Sequence, residues 1–168
     1  AVICSLAAIM VYIWFRFEWQ FSIAAILALA HDVLTTIGLF ALTSFEFNLA
    51  TVAAILTIAG YSINDTVVVF DRVRENLRRY KSYEQPAILN MSLNETLSRT
   101  VMTSVTTMLA LLAIVLFGGA VLRDFALAMM WGVLIGTYSS IFVAVGMLAF
   151  FDLKKNLYED EDPGVMRE

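Results

Sequence analysis

The sequence predicts an all-α membrane protein, a polytopic bundle of transmembrane helices, and three observations carry that reading. Of its 168 residues, 60% are hydrophobic and 15% are charged, against roughly 45–50% and ~25% in a soluble domain. The apolar residues gather into five runs of bilayer-spanning length or close to it, where about 20 residues are needed. Those runs are continuous instead of alternating with period two, which disfavours a transmembrane barrel. With a mean hydropathy of +0.79 and no stretch left over for a separate soluble domain, a water-soluble enzyme is excluded.

Five transmembrane spans are expected at 1–15, 21–44, 49–70, 100–117 and 125–151. The bundle then occupies 1–152, with a polar cytoplasmic loop at 72–99 and an acidic cytoplasmic tail at 153–168. From Asp152 to Glu168 the chain carries three positive and six negative side chains, so this end accounts for −3 of the net −4. Tight connections at 16–20 and 45–48, and a short one at 118–124, impose antiparallel hairpins. The first run is only about 15 residues where roughly 20 are needed, and it opens at Ala1 already in apolar residues. It lacks the charged flank and cleavage site of a signal peptide. The chain therefore reads as a fragment of a longer protein, with an extracytoplasmic part missing upstream.

Orientation follows from Lys and Arg, which stay on the cytoplasmic side of short loops. Arg16, Arg72, Arg74, Arg78, Arg79, Lys81, Arg99, Lys154, Lys155 and Arg167 all fall on one face; Arg123, followed at once by Asp124, is alone on the other. The start of the chain is thus expected on the outer side, which the family resemblance given below makes the periplasm, and its C-terminus in the cytoplasm.

A single cysteine, Cys4, and a single histidine, His31, leave no disulfide framework, CxxC pair or His-based metal cluster. No nucleophile arrangement or Gly-rich phosphate loop is evident, so neither covalent catalysis nor a cofactor is expected, and nucleic acid is not an expected partner. The chemistry lies in ionisable groups far from span ends, because an aspartate at the bilayer centre costs at least ~2.5–3.5 kcal/mol on insertion scales. Asp32, beside His31 and one turn before Thr35 and Thr36, and Asp65, within Asn64-Asp65-Thr66, are the two that qualify. Asp32 and His31 fit either an interhelical hydrogen-bonding role or a titrating one. Thr96, Thr100, Thr103, Ser104 and Thr107 recur at helical spacing as a hydroxyl stripe with Arg99 at its entrance. The third span descends and the fourth ascends, so Asp65 and the tip of Arg99 can reach similar depth. An aspartate facing an arginine and hydroxyls can alternate between a charged, paired form and a neutral one, the minimum equipment of a proton relay. In the last span Ala128, Gly132, Gly136, Ser140 and Ala144 recur every fourth residue as a small-residue ridge for a closely packed helix. Opposite charges spaced three and four apart continue helical character from Asp71 to Tyr80, with a break before Pro86. These arginines form either a solvated face or a site for anionic lipid headgroups.

The run from Gly60 to Asn76, GYSINDTVVVFDRVREN, strongly resembles the signature of the SecF family, membrane components of bacterial protein export. Arg16-Phe17-Glu18-Trp19, Ala30-His31-Asp32-Val33, Leu97 to Ser104, Leu116 to Gly119 and Ile135 to Ser140 agree with it. The resemblance implies spans two to six of a six-span, multi-pass inner-membrane protein whose periplasmic domain precedes them. It also implies a role in using the protonmotive force to promote late steps of polypeptide export. SecD, the SecYEG channel, exported unfolded polypeptides, membrane lipids and, further out, YajC and YidC are the implied partners. On this reading Asp65, Arg99, Asn64, Thr103 and Ser104 form the proton relay, Asp32 and His31 are secondary candidates, and Gly132, Gly136 and Ser140 pack helices. Two rivals remain at this point: a passive scaffold holding SecD and the channel, and a proton-coupled exporter of small molecules.

Overall fold

The computed structural model describes residues 2–43 and 49–153. The expected turn at 45–48 and the acidic tail from residue 154 onward lie outside the described residues. The elements are α1 (Val2–Arg16), α2 (Trp19–Thr43), α3 (Leu49–Arg79), α4 (Gln85–Phe117), α5 (Gly119–Tyr138), a π-helical segment (Ser139–Ala144) and α6 (Val145–Leu148). No strand occurs among the described residues. Four stretches are long and apolar enough to cross a membrane: α2, α3, α4, and Leu122–Leu148, which runs from α5 through the π segment into α6. The apolar stretch of α1 is shorter, so among the described residues four of the five expected spans are of full length.

Within the expected loop at 72–99, α3 runs on as a helix to Arg79, as the charge spacing from Asp71 to Tyr80 anticipates. The departure is that α4 already begins at Gln85, so only residues 80–84 join the two. At 1.5 Å per residue, the 31 residues of α3 and 33 of α4 measure about 46 and 50 Å. Both overrun a hydrocarbon core of ~30 Å. Window-averaged hydropathy misses these extensions because their outer faces are charged, yet Val73, Leu77, Ile88 and Leu89 are buried between them. Asn76 donates to Ser92 Oγ at 3.0 Å and Glu95 Oε2 at 2.7 Å, and Arg72 Nε donates to Glu95 at 2.6 Å. The Arg72 hydrogen bond, then that of Asn76, holds the Glu95 carboxyl below the usual carboxylate range, and the same contact raises the Arg72 guanidinium. The break falls before Pro86, which sits in the first turn of α4, where its missing N–H has no helical partner to lose. At the other end, Gly119 takes a φ of 75°, a left-handed value suited to glycine, and the chain reverses from α4 into α5.

Two apolar clusters form the core. One gathers Ile13, Phe17, Phe21, Phe70, Leu77 and Leu148 at the end bearing the helix extensions; the other gathers Phe40, Ile58, Leu111, Met129 and Val133. Between them, each long helix changes character at the same level. Asp32 and Thr36 on α2, Ser62, Asp65 and Thr66 on α3, Thr96 and Thr100 on α4, and Ser139 and Ser140 after α5 are all buried. The bundle is therefore two greasy layers with a polar layer sealed inside it. Large apolar side chains such as Phe15, Leu42, Leu49, Phe117 and Phe150 stand exposed around the outside, as expected of lipid-facing surface.

Candidate functional site

The polar layer is built by two ridges of every-fourth residues. On α4, Ile88, Ser92, Thr96 and Thr100 are buried in succession and Ser104 continues the row half-buried, the pattern of i±4 ridge packing. After Gly118, the small-residue ridge Ala128, Gly132, Gly136, Ser140 and Ala144 is buried along its whole length. It faces α3: a Cβ placed on Gly132 would overlap the Ile58 side chain, and one on Gly136 would stand 3.1 Å from Ser62 Cβ. Glycine at these positions lets α3 and α5 approach closely enough for short hydroxyls to bridge them.

Asp65, 7% exposed, points between α3 and α4, where Thr100 Oγ1 donates to its Oδ1 at 3.1 Å. This is its one side-chain hydrogen bond among the described residues. Arg99 is exposed and close enough to attract the carboxylate electrostatically, but forms no ion pair with it. The expected direct Asp65–Arg99 contact is thus replaced by a hydroxyl bond, with the guanidinium one residue along on the outer face. Asn64 is also exposed, since one residue is about 100° of helical rotation from Asp65. Thr103 is exposed and bonds back to Arg99 and Thr100 carbonyls of its own helix. It lies three, not four, residues beyond Thr100 and falls off the ridge. Ser104 pairs with Thr137 Oγ1 at 2.6 Å and joins α4 to α5.

Asp32 has richer surroundings. It is fully buried; Ser139 Oγ donates to its Oδ2 at 2.7 Å and Ser62 Oγ donates to the same oxygen. His31 Nδ1 lies 3.0 Å from Oδ1. Close by, Thr66 Oγ1 and Ser140 Oγ share a hydrogen bond of 2.9 Å. Sequence reasoning gave Ser62 and Ser139 no place in the site, named Thr66 only as the neighbour of Asp65, and left Thr100 as one member of a stripe. Ser62 and Thr66 carried a usable signal, being three residues before and one after Asp65 on the buried side of α3. Ser139 carried none, standing beside the small-residue ridge instead of on it. No three His, Cys, Asp or Glu side chains converge as a metal site among the described residues.

The family model described as "Protein export membrane protein SecD/SecF, C-terminal" matches residues 1–154. Among curated relatives, the protein translocase subunit SecF of Rhodobacter capsulatus is 56% identical over 97% of this chain and 49% of its own length. That of Rickettsia bellii is 53% identical over 92% of this chain and 51% of its own. The chain spans about half the length of the curated relatives it matches. A crystal structure of SecDF in a super-membrane-facing form superposes with a TM-score of 0.83 at 48% identity, covering 93% of this chain and 21% of the other. The translocon-associated membrane protein SecDF from Thermus thermophilus gives 0.82 at 51% identity, covering 86% and 20%.

Proposed function

The chain belongs to the SecD/SecF family of protein export membrane proteins, and on that premise we propose that it is the membrane part of a SecF-type translocase subunit. It sits in the bacterial inner membrane with a SecD partner and uses the protonmotive force to promote late steps of polypeptide export through the SecYEG channel. The observation that carries this reading is Asp65: a buried carboxyl in a long apolar helix, restrained by a single hydroxyl. Such a group can take up a proton, lose its attraction to Arg99, and release the proton again as the packing between α3 and α4 changes. One charge crossing the full potential is worth ~2.3 kcal/mol per 100 mV, enough for a few protons to bias a domain motion outside this chain. No covalent step is required.

The outer face of α4, the least buried of the four long spans and the one carrying Arg99 and Thr103, is the face we assign to SecD. The scaffold reading leaves Asp65 without a use, and an exporter of small molecules would need a polar substrate pocket in the bundle. The decisive comparison is export by the full-length protein with and without a protonmotive force, in wild type and in Asp65→Asn. A scaffold would export equally well in both.

The charge-based orientation has its own check. In a Cys4→Ser background, a cysteine at Ser82 should react with a membrane-impermeant reagent only from the cytoplasm, and one at Asp124 only from the periplasm. The reverse pattern would invert the topology.

A further inference from the structure

The mechanism above leaves a second intramembrane carboxyl unused. Asp32 stands near the middle of α2, with about 12 residues, or ~18 Å, of helix on either side. A bare carboxylate at such depth is costly, and among the described residues no lysine or arginine pairs with it. Its neighbours come from its own helix and from two other places in the chain. Ser62 of α3 and Ser139 of the π segment both donate to Oδ2, leaving Oδ1 to the imidazole of the preceding residue. The His31 side chain is 35% exposed while Asp32 is sealed, so the pair has one member at the surface of the bundle and one inside.

The two serines that open the π segment, Ser139 and Ser140, are both fully buried. The first hydroxyl is directed at Asp32 and the second at Thr66, the residue after Asp65, at a wider turn of the kind that recurs at functional sites. Ser139 also has a second acceptor in reach, the Gly136 carbonyl at 3.1 Å.

We propose that His31 and Asp32 form a second proton-holding pair in this chain, and that the π segment couples its charge state to the stretch of α3 that carries Asp65. With one proton between them, Nδ1–H donates to the Asp32 carboxylate, whose other oxygen accepts both serine hydroxyls. A second proton makes the pair neutral overall, either as imidazolium with carboxylate or as imidazole with carboxylic acid. Where the carboxylic acid forms, Oδ2 no longer holds two donors strongly, and Ser139 can fall back on the Gly136 carbonyl. The segment that repacks also carries Ser140, and through it Thr66. The other groups facing the pair are few: Tyr138 of α5, whose ring lies 6.4 Å from the imidazole, and on α3 the neutral Ser62 with Asp65 one turn further. None supplies a competing cation.

The inference rests on the proton-driven reading for its purpose, but its test does not depend on Asp65. The full-length protein in complex with SecD would be labelled with ¹⁵N-histidine and placed in lipid nanodiscs, and the His31 signal assigned by its loss in His31→Gln. Asp32→Asn removes the carboxylate that faces Nδ1, so the His31 signal should titrate at a midpoint different from that of wild type. Ser139→Ala should move the midpoint measurably, whereas Thr35→Ala, whose hydroxyl bonds only its own helix, should not. Asp65→Asn should leave the pair titrating even though force-dependent export is lost. An unchanged His31 midpoint in Asp32→Asn, or an imidazole that does not titrate in the folded wild type, overturns the proposal. Should Asp32→Asn fail to fold, an unchanged midpoint in Ser139→Ala overturns the coupling on its own. Force-dependent export that survives in Asp65→Asn would instead count against the proton-driven reading and leave this pair standing.

Discussion

Asp65→Asn is expected to remove the whole of the force-dependent component of export and to leave the ATP-driven component, which other parts of the translocase supply, at its wild-type rate. The amide keeps the shape of the side chain and still offers Thr100 an acceptor, so the α3–α4 packing survives and only the proton is lost. If one proton crosses per cycle, ~2.3 kcal/mol per 100 mV corresponds to about fifty-fold of bias at that potential, a loss an export assay resolves easily. Arg99→Ala should remove most of the same component, because a neutral side chain gives Asp65 nothing to be released from. Arg99→Lys should fall between Ala and wild type: within this chain the guanidinium reaches Asp65 only through its field, which an ammonium retains, while the planar fork is lost to whatever carboxylate the exposed face of α4 meets. Force-dependent export preserved in both Asp65→Asn and Arg99→Lys would mean that the aspartate is a structural hydrogen bonder and Arg99 only a cytoplasmic anchor.

The large features of this fold were legible because membrane insertion is enforced residue by residue. Runs of apolar side chains located α2, α3, α4 and the last span, and the spacing of small residues marked the ridge that faces α3. The polar layer was legible only in part. Asp65 and Asp32 stood out by their cost in lipid, but their partners were set by rotation about the helix axis and by the π segment. Asn64 and Thr103 look adjacent to the site in the sequence and point away from it, whereas Thr100, Ser62 and Ser139 complete it. The extension of α3 was legible in the charge spacing from Asp71 to Tyr80, whereas that of α4 was hidden for a different reason: burial there is confined to one stripe, and the polar and charged faces dominate any average over a window.

Gly132→Leu should be the most damaging single packing change in the bundle. A Cβ at this position already overlaps Ile58, which is 1% exposed and part of the apolar cluster that holds Ala54, Ala128 and Val133, so the isobutyl group has no rotamer that avoids α3. Overpacking of soluble cores costs about 1–3 kcal/mol; here relief requires α5 to move away from α3, which would also stretch the Ser139–Asp32 and Ser140–Thr66 bonds. The expected result is loss of most folded complex on purification, judged by size-exclusion profile and thermal stability in detergent. Gly60→Ala is the control, since a Cβ there meets nothing within 4 Å, and it should behave as wild type or slightly better for its helix propensity. Because global damage is weak proof of a particular contact, the sharper measurement is the pair Gly132→Ala and Ile58→Ala. Each alone should destabilise, the first by crowding and the second by leaving a cavity. If the two side chains share one space, the double variant should be more stable than the sum of the single losses predicts, by about 0.5–3 kcal/mol. Strict additivity, together with a Gly132→Leu protein that purifies and melts like wild type, would show that the ridge does not depend on this contact.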